Sequence, residues 1–325
     1  MARDVRGYDE DDVRSRANPR GTRPRSKQRP AHADAADGAV FAVDRGRYGV
    51  LVGDTEVTAM RARELGRAGI VVGDRVGVVG DLSGAPDALA RIVRLDERET
   101  VLRRTADDND PQERVIVANA DQLVIVSALA DPEPSFGLID RCLIAALTEN
   151  IEPVLCLTKA DLAAPDTVIA HYAALDVPAF VTRKGGSLDE LAAHLAGHES
   201  VFVGHSGVGK STLINALVPS AARATGAVSA IGKGRHTSAS VVSLRLPEGD
   251  GWVIDTPGVR SFGLAHVTAD DLLWAFPDLE DGAVQCLPGC EHVSADAGCH
   301  LDAWVAEGNS TPARLAAFRR LLVSR

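Results

Sequence analysis

The sequence has no long apolar run and no sign of a targeting segment. None of the apolar stretches in its 325 residues approaches the roughly 20 residues that a membrane-spanning helix needs. The first residues are polar and of mixed charge, so they lack the apolar core of a secretory signal peptide. We therefore expect a soluble, cytoplasmic protein that has no contact with membranes.

Cysteine is also scarce, and its five positions do not suggest disulfides. Cys142 and Cys156 stand singly in apolar surroundings, where a cysteine behaves as a small buried hydrophobic residue. The other three, Cys286, Cys290 and Cys299, form an odd-numbered cluster in a chain expected to be cytosolic. That is a poor basis for a disulfide framework.

The composition excludes a mostly disordered chain and a collagen-like chain. Hydrophobic residues make up 45% and charged residues 25% of the sequence, the usual balance of a soluble globular protein. A chain of 325 residues is longer than one average domain, so we expect two or three folded domains.

The charge of the chain is unevenly distributed. The net charge is −10, yet residues 1–36 carry nine Lys and Arg against six Asp and Glu. Within them, residues 13–30 carry seven basic side chains, three prolines and no acid, a combination that prevents a packed core. We expect residues 1–36 to form a disordered basic tail, either a solubilising extension or an arm that grips phosphate backbones.

Residues 37–104 have the pattern of a small β-barrel. Glycine-containing turns separate five stretches of apolar and β-branched residues, at 39–43, 47–52, 56–60, 75–79 and 89–95. Five strands in so short a segment favour a barrel of the oligonucleotide-binding (OB) type, or another small barrel used for packing.

The remainder of the chain predicts two further domains. Between residues 105 and 268, apolar strands alternate with helical segments, which is typical of parallel βαβ units with helices on both faces of a sheet. Residues 269–325 change to short helices around a cluster of cysteines and histidines. The predicted fold is therefore multi-domain, with an OB-like barrel, a central α/β domain and a helical C-terminal domain.

A glycine-rich loop in the central domain matches the phosphate-binding pattern G-x-x-x-x-G-K-[ST] and is called the P-loop below. An apolar strand precedes it and a helical segment follows it, which is the context that the pattern requires. Its glycines let backbone N–H groups face the phosphates, Lys210 can reach the β- and γ-phosphates, and Ser211 can ligate Mg²⁺. The predicted nucleotide-binding residues of the loop are Gly204, His205, Ser206, Gly207, Val208, Gly209, Lys210, Ser211 and Thr212.

Two more motifs follow apolar strands of the same domain. Asp255-Thr-Pro-Gly258 ends one strand, where the aspartate can hold the water shell of Mg²⁺ and the Gly258 N–H can sense the γ-phosphate. Another strand ends in the base-reading motif Thr158, Lys159, Ala160 and Asp161, with Lys159 along the purine face. Asp161 can accept hydrogen bonds from the N1–H and the 2-amino group of guanine, whereas adenine leaves this carboxylate unpaired.

The order of these motifs along the chain is their most distinctive property. In ordinary small GTPases the P-loop comes first and the guanine motif last. Here residues 158–161 precede residues 204–212, and residues 255–258 come third. A parallel sheet tolerates this reordering because its ligand site lies at the carboxyl ends of the strands, whatever their order in the chain. The sequence therefore predicts a P-loop GTPase domain with circularly permuted motif order.

This combination resembles the RsgA (YjeQ) family of bacterial GTPases that act in small ribosomal subunit assembly. The resemblance covers nearly the whole chain beyond the tail and includes Gly-Arg-His-Thr at 234–237 and the Cys/His cluster at 286–299. It implies GTP hydrolysis stimulated by the small subunit, and contacts of the barrel and the C-terminal domain with ribosomal RNA. The implied partners are GTP and GDP with Mg²⁺, the small ribosomal subunit and its rRNA, bound by a monomeric protein.

The resemblance also implies roles for the segment between the P-loop and Asp255. Thr237 would join Mg²⁺ when GTP is bound, with Ser238 as an alternative ligand. Val259 stands where many GTPases have the glutamine that orients the attacking water, which valine cannot do. His236 is the nearest polar residue of the segment and the predicted catalytic residue, the alternative being a solvated loop histidine.

The C-terminal cluster predicts a metal site. Cys286, Cys290, His292 and Cys299 supply four ligands within 14 residues, a set suited to one tetrahedral Zn²⁺. Such a site has no open position and is structural, and a segment with little core would need it to fold. His300 directly follows Cys299, so the choice of histidine stays open, with His292 preferred. Buried thiols without a metal are the alternative.

Two other functions compete with a ribosome-associated GTPase. One is a P-loop ATPase or small-molecule kinase, which has no need of the guanine-reading carboxylate of Asp161. The other is a zinc-containing RNA-binding module that no longer hydrolyses nucleotide. The presence of Lys210, Ser211, Thr237 and Asp255 together argues against such a loss.

Overall fold

The computed structural model describes residues 32–66, 69–105, 113–220, 241–256, 262, 264, 266–295 and 298–325. Asp34–Arg325 forms one compact unit. Several predictions fall outside the described residues: most of the basic tail, the segment with His236, Thr237 and Ser238, and the pair Gly258 and Val259.

Five strands form a closed barrel near the start of the described chain. They are β1 (Ala36–Asp44), β2 (Arg47–Val52), β3 (Thr55–Arg61), β4 (Arg75–Gly80) and β5 (Ala90–Leu95). The strand order is β1-β2-β3-β5-β4, and β4 pairs back with β1. Val50, Val57 and Ile92 lie in its buried interior. The predicted OB-like barrel is confirmed.

A two-stranded antiparallel sheet follows the barrel. Its strands are β6 (Val101–Thr105) and β7 (Glu113–Ala118), and β6 was not predicted from the sequence pattern. Leu102 of β6 and Val117 of β7 belong to the core beneath the next sheet, not to the barrel interior. Strand β6 therefore crosses the expected domain boundary at residue 104.

The central domain is built on a mainly parallel sheet. Its strands are β8 (Gln122–Ala128), β9 (Glu152–Thr158), β10 (Ala179–Val181), β11 (Glu199–Val203), β12 (Val242–Arg245) and β13 (Trp252–Asp255). They lie in the order β10-β9-β8-β11-β13-β12, in which only β12 is antiparallel to its neighbour β13. Strand β12 also pairs with β1 at Ala42 and Val242, so the sheet continues into the barrel.

Helices cover both faces of this sheet, as predicted. They are α1 (Phe136–Thr148), α2 (Asp166–Tyr172), α3 (Asp189–Leu195) and α4 (Lys210–Leu217). Alternate residues of β8 enter different cores: Ile125 packs in one core with α1, and Val126 packs in another with α3 and α4. All seven residues of β8 are buried, because this central strand is covered from both sides.

Four short helices complete the described chain: α5 (Ala269–Leu273), α6 (Pro277–Ala283), α7 (Leu301–Ala306) and α8 (Pro312–Ser324). The predicted start of α8 is confirmed, since the Thr311 side chain accepts a hydrogen bond from the Arg314 N–H and Pro312 follows. Phe276 and Phe318 pack in the same core as α1. No helix within the described ranges is long and apolar enough to cross a membrane.

Gly73 lies where the barrel meets β7. Its N–H donates to the Val40 carbonyl of β1 at 2.8 Å, and its own carbonyl accepts from the Asn119 side chain at 2.9 Å. Its φ is +89°, and a Cβ atom there would lie 1.9 Å from the Ala118 carbonyl oxygen. Only glycine satisfies both the backbone conformation and this approach.

Replacing Gly73 by alanine should therefore destabilise the protein strongly. Gly46 is the matched control, because its φ is +83° but a Cβ atom there meets nothing within 4 Å. We expect Gly46→Ala to lower the free energy of unfolding by about 1 kcal/mol and Gly73→Ala by at least about 3 kcal/mol. Thermal and urea unfolding measure both, and equal effects would contradict the proposed clash.

Candidate functional site

The carboxyl ends of neighbouring strands bring the predicted motifs together. β9 ends at Thr158, β11 ends directly before the P-loop, and β13 ends at Asp255, with β8 between β9 and β11. The chain proceeds from β8 to β9 and β10 on one side and resumes at β11 on the other. Such a reversal of strand order leaves a crevice at the carboxyl edge, where parallel α/β sheets bind their ligands.

The P-loop lies against β8 and turns directly into α4. A Cβ atom at Gly204 would lie 2.5 Å from the Val126 carbonyl oxygen, so the loop needs glycine where it leaves the sheet. Gly207 and Gly209 have φ values of +86° and +92°, which favour glycine. The loop thus ends at the N-terminus of a helix, where backbone N–H groups can bind an anion.

The P-loop lysine meets the aspartate of the third motif. The Lys210 ammonium forms an ion pair with the Asp255 carboxylate, although the two residues belong to different elements. Lys210 is buried. Thr256 follows Asp255, and its hydroxyl donates to the Phe202 carbonyl at 2.7 Å. A buried ammonium group and a carboxylate therefore lie together beside the P-loop.

The base-reading motif is joined to the P-loop by a hydrogen bond. Thr158 is buried, and its hydroxyl donates to the Val208 carbonyl at 2.5 Å. The Lys159 ammonium bonds to the Asp131 carbonyl. Asp161 is exposed and has no hydrogen bond or ion pair with any residue that the structure describes, so its carboxylate is available to a ligand.

A second segment supports the base-reading motif from behind. The Ala160 N–H donates to the Thr182 carbonyl at 3.1 Å, and the Thr182 N–H donates to the Leu157 carbonyl at 2.7 Å. Thr182 therefore holds the backbone of the base-reading motif on the side of β10.

The loop between β8 and α1 is a part of the site that the sequence analysis missed. Its Asp131 carbonyl holds Lys159, and Pro132 lies 3.7 Å from a Cβ atom placed on Gly207. A cleft of about 450 Å³ separates this loop from the P-loop, lined by Ser127, Glu133, Ser135, His205 and Ser206 among others. The available signal was a turn-forming Asp-Pro-Glu-Pro-Ser stretch that begins three residues after the end of a buried strand.

The other residues predicted to bind nucleotide or Mg²⁺, or to act in catalysis, fall into two groups. Ser211 and Thr212 are exposed on the first turn of α4, next to Lys210. His236, Thr237 and Gly258 lie outside the described residues, so no position is assigned to them.

Four side chains form a compact candidate metal centre. The ligand atoms of Cys286, Cys290, His292 and Cys299 all lie within 4.8 Å of one another. The His292 Nδ1 atom is 3.6 Å from the sulfur of Cys286 and 3.6 Å from that of Cys299, and these two sulfurs are 4.0 Å apart. Tetrahedral zinc places its ligand atoms about 3.5–3.8 Å apart. The four residues therefore fit one Zn²⁺.

The structure distinguishes the two histidines. The His292 ring lies among the cysteines, whereas His300 contributes its backbone N–H, which donates to the Cys286 sulfur at 3.3 Å. The preference for His292 agrees with this geometry. The hydrogen bond from the His300 N–H to the Cys286 sulfur stabilises a thiolate and orients it toward a metal.

The pKa values of the cluster couple metal binding to the release of protons. Burial lowers the pKa of His292, which keeps its imidazole neutral, the form that ligates zinc. Burial raises the pKa of the Cys299 thiol to about 11. This thiol must lose its proton to become a ligand, so zinc binding should release protons and weaken as the pH falls.

Metal analysis of the purified protein should therefore find about one zinc per chain, as expected for one four-ligand site. Cys290→Ser should lose the metal and lower the melting temperature. Cys142→Ser is the control. Cys142 is buried and lies more than 100 residues before the cluster in the sequence, so this substitution should leave the zinc content unchanged. A wild-type protein that is folded and zinc-free would overturn the assignment.

Comparisons with known proteins agree with this arrangement. The family model RsgA GTPase matches residues 95–265, more than half of the chain. The small ribosomal subunit biogenesis GTPase RsgA of Azotobacter vinelandii is 39% identical over 265 residues, which span 78% of this chain and 75% of that protein. The RsgA of Pseudomonas aeruginosa is 41% identical over 219 residues, which span 64% of each protein.

Solved structures show the same fold over most of the chain. The crystal structure of YloQ, a circularly permuted GTPase, has a TM-score of 0.64 at 25% identity and covers 91% of this chain and 96% of its own. YjeQ from Thermotoga maritima has a TM-score of 0.64 at 25% identity, covering 89% and 97%. These likenesses confirm the predicted permuted GTPase fold. By sequence and by fold, this chain belongs to the RsgA GTPase family.

Proposed function

We propose that this protein hydrolyses GTP to GDP and phosphate, and that it binds the small ribosomal subunit and its rRNA to assist late subunit assembly. The relatives named above carry the small-subunit role in their names. The observation that carries the proposal is the hydrogen bond from Thr158 to the Val208 carbonyl, which joins a guanine-reading motif to a P-loop. A kinase or ATPase would not need this connection.

Different residues of the site bind different parts of GTP in this proposal. The Asp161 carboxylate accepts the two guanine hydrogen bonds, while Lys159, held by the Asp131 carbonyl, lies along the purine face. The P-loop N–H groups and Lys210 bind the β- and γ-phosphates. Ser211 and Thr237 would ligate Mg²⁺ and Asp255 would hold its water shell, so that the bound metal would neutralise charge on these phosphates.

Hydrolysis requires a group that positions the attacking water. Val259 cannot do this, and we assign the role to His236, whose imidazole can hold the water by a hydrogen bond. The free protein should therefore be a slow GTPase whose rate the small subunit increases. The barrel and the zinc-binding helices supply the rRNA contacts in this proposal.

The proposal extends to organisation and location. We assign residues 1–36 to a basic tail, the segment from residue 37 up to β6 to the barrel, β6 through residue 268 to the GTPase domain and 269–325 to the zinc-binding domain. The three hydrophobic clusters support a barrel core separate from those of the central sheet. We further propose that the protein is a cytoplasmic monomer, since ribosome assembly takes place in the bacterial cytoplasm.

The guanine specificity is tested by replacing Asp161 with asparagine. Asparagine offers a donor where guanine needs an acceptor, so the affinity for GDP should fall at least about 30-fold. Xanthosine diphosphate, which presents a carbonyl in place of the 2-amino group, should bind the variant better than the wild type. Calorimetry measures both ligands, with Asp166→Asn as a control on the nearby exposed surface. Unchanged GDP affinity would refute the assigned role of Asp161.

The catalytic assignment is tested by the GTPase rate with and without purified small subunits. The subunits should accelerate the wild type, and His236→Ala should lose at least about tenfold of the stimulated rate, a typical loss for a water-positioning group. GTP affinity should stay unchanged, because the P-loop and Asp161 are intact. A variant with the full stimulated rate would show that His236 is a solvated loop residue.

A further inference from the structure

A wide groove opens at the edge of the central sheet opposite the nucleotide motifs. It has a volume of about 740 Å³, and its lining includes Asp121, Glu152, Asp271 and Trp274. Asp121 and Glu152 lie at the amino ends of β8 and β9, whereas the nucleotide motifs follow the carboxyl ends. A seven-residue strand is about 20 Å long, so the groove is well separated from the P-loop. We call this groove, lined by these four residues among others, the acidic groove.

Trp274 gives the groove a large exposed aromatic surface. Its side chain is 69% exposed directly after α5. Trp304 provides a contrast, because it is partly buried and its indole N–H donates to the Asp278 carbonyl at 2.8 Å. Exposed tryptophan is uncommon on a free surface and is enriched where proteins bind partners.

The charge around Trp274 is negative. Among the described residues that line the acidic groove there is no lysine or arginine, and the histidine among them, His198, lies 3.3 Å from the Asp121 carboxylate. A neighbouring cleft of about 420 Å³ shares Asp121 and continues the negative surface with Asp96, Glu97, Glu99 and Glu199. Among the described residues that line this cleft, Glu199 is paired with Arg75 and Asp96 is paired with Arg94, whereas Glu97 and Glu99 form no ion pair there.

We propose that the acidic groove and the adjoining cleft bind an arginine-bearing basic segment of a protein partner. A guanidinium group stacks on an aromatic face and pairs with carboxylates through its planar fork of donors. Trp274 supplies such a face, and Glu152 and Asp121 supply carboxylates in the same groove. Nucleic acid does not fit this surface, because its phosphates would be repelled along the whole strip.

The contribution of Trp274 can be measured on the full-length protein with GDP bound. The probe is a fluorescein-labelled twelve-residue peptide with four arginines in a Gly-Ser background, and fluorescence anisotropy reports its binding at low salt. A peptide with citrulline in place of arginine keeps the shape and removes the charge. We expect binding of the arginine peptide only, and a five- to tenfold weaker affinity for Trp274→Ala.

A charge variant tests the carboxylates without disturbing the fold. Glu152→Gln should weaken the arginine peptide about five-fold, while its amide oxygen can still accept from the Gln122 side chain, which bonds Glu152 at 3.0 Å. Glu64→Gln, on an exposed turn of the barrel, is the control and should have no effect. GDP affinity should be the same in all variants, because the groove and the P-loop lie at opposite edges.

Three results would overturn the proposal. The first is an affinity for the arginine peptide that Trp274→Ala and Glu152→Gln leave unchanged. The second is equal binding of the citrulline peptide, which would show that charge plays no part. The third is binding of a labelled twelve-nucleotide RNA that Trp274→Ala abolishes, because the groove would then serve nucleic acid.

Discussion

The close approach of the P-loop to strand β8 is the constraint on which the nucleotide site depends. Gly204 leaves room for the Val126 carbonyl oxygen only because it has no side chain, which lets β11 and β8 stay paired up to the loop. Since β9 is the other neighbour of β8, Thr158 then comes within hydrogen-bond distance of Val208. Circular permutation changes the order of these strands in the chain but preserves their neighbours, and the site depends on neighbours.

The C-terminal helix α8 connects the metal centre to the GTPase core. The Arg319 guanidinium donates to the His292 carbonyl at 3.0 Å and forms a forked pair with Asp302 of α7. The next residue, Arg320, lies 3.6 Å from the buried carboxylate of Asp140 on α1. Phe318 belongs to the same core as α1. The zinc-binding region therefore has little core of its own, and the metal and the GTPase sheet stabilise it together.

The two edges of the central sheet have opposite chemical character. At the carboxyl edge, glycines, a helix N-terminus and Lys210 form a surface suited to phosphates. At the amino edge, Asp121 directly precedes β8, Glu152 begins β9, and Trp274 lies beside them. A parallel sheet separates these edges by the length of its strands, so the protein can bind a nucleotide and a basic partner without mutual obstruction.

The sequence alone determined the fold class, the permuted order of the motifs and the chemistry of their side chains. Each of these properties follows from local sequence patterns, because a strand, a glycine-rich loop or the spacing of metal ligands depends on residues close together in the chain. The tertiary structure decided that His292 and not His300 joins the cysteines, that β6 packs with the central sheet, and that Asp131 supports Lys159. It also assembled the acidic groove from residues of distant segments. Such groupings depend on which surfaces pack together, and packing between distant segments leaves no periodic pattern in the sequence.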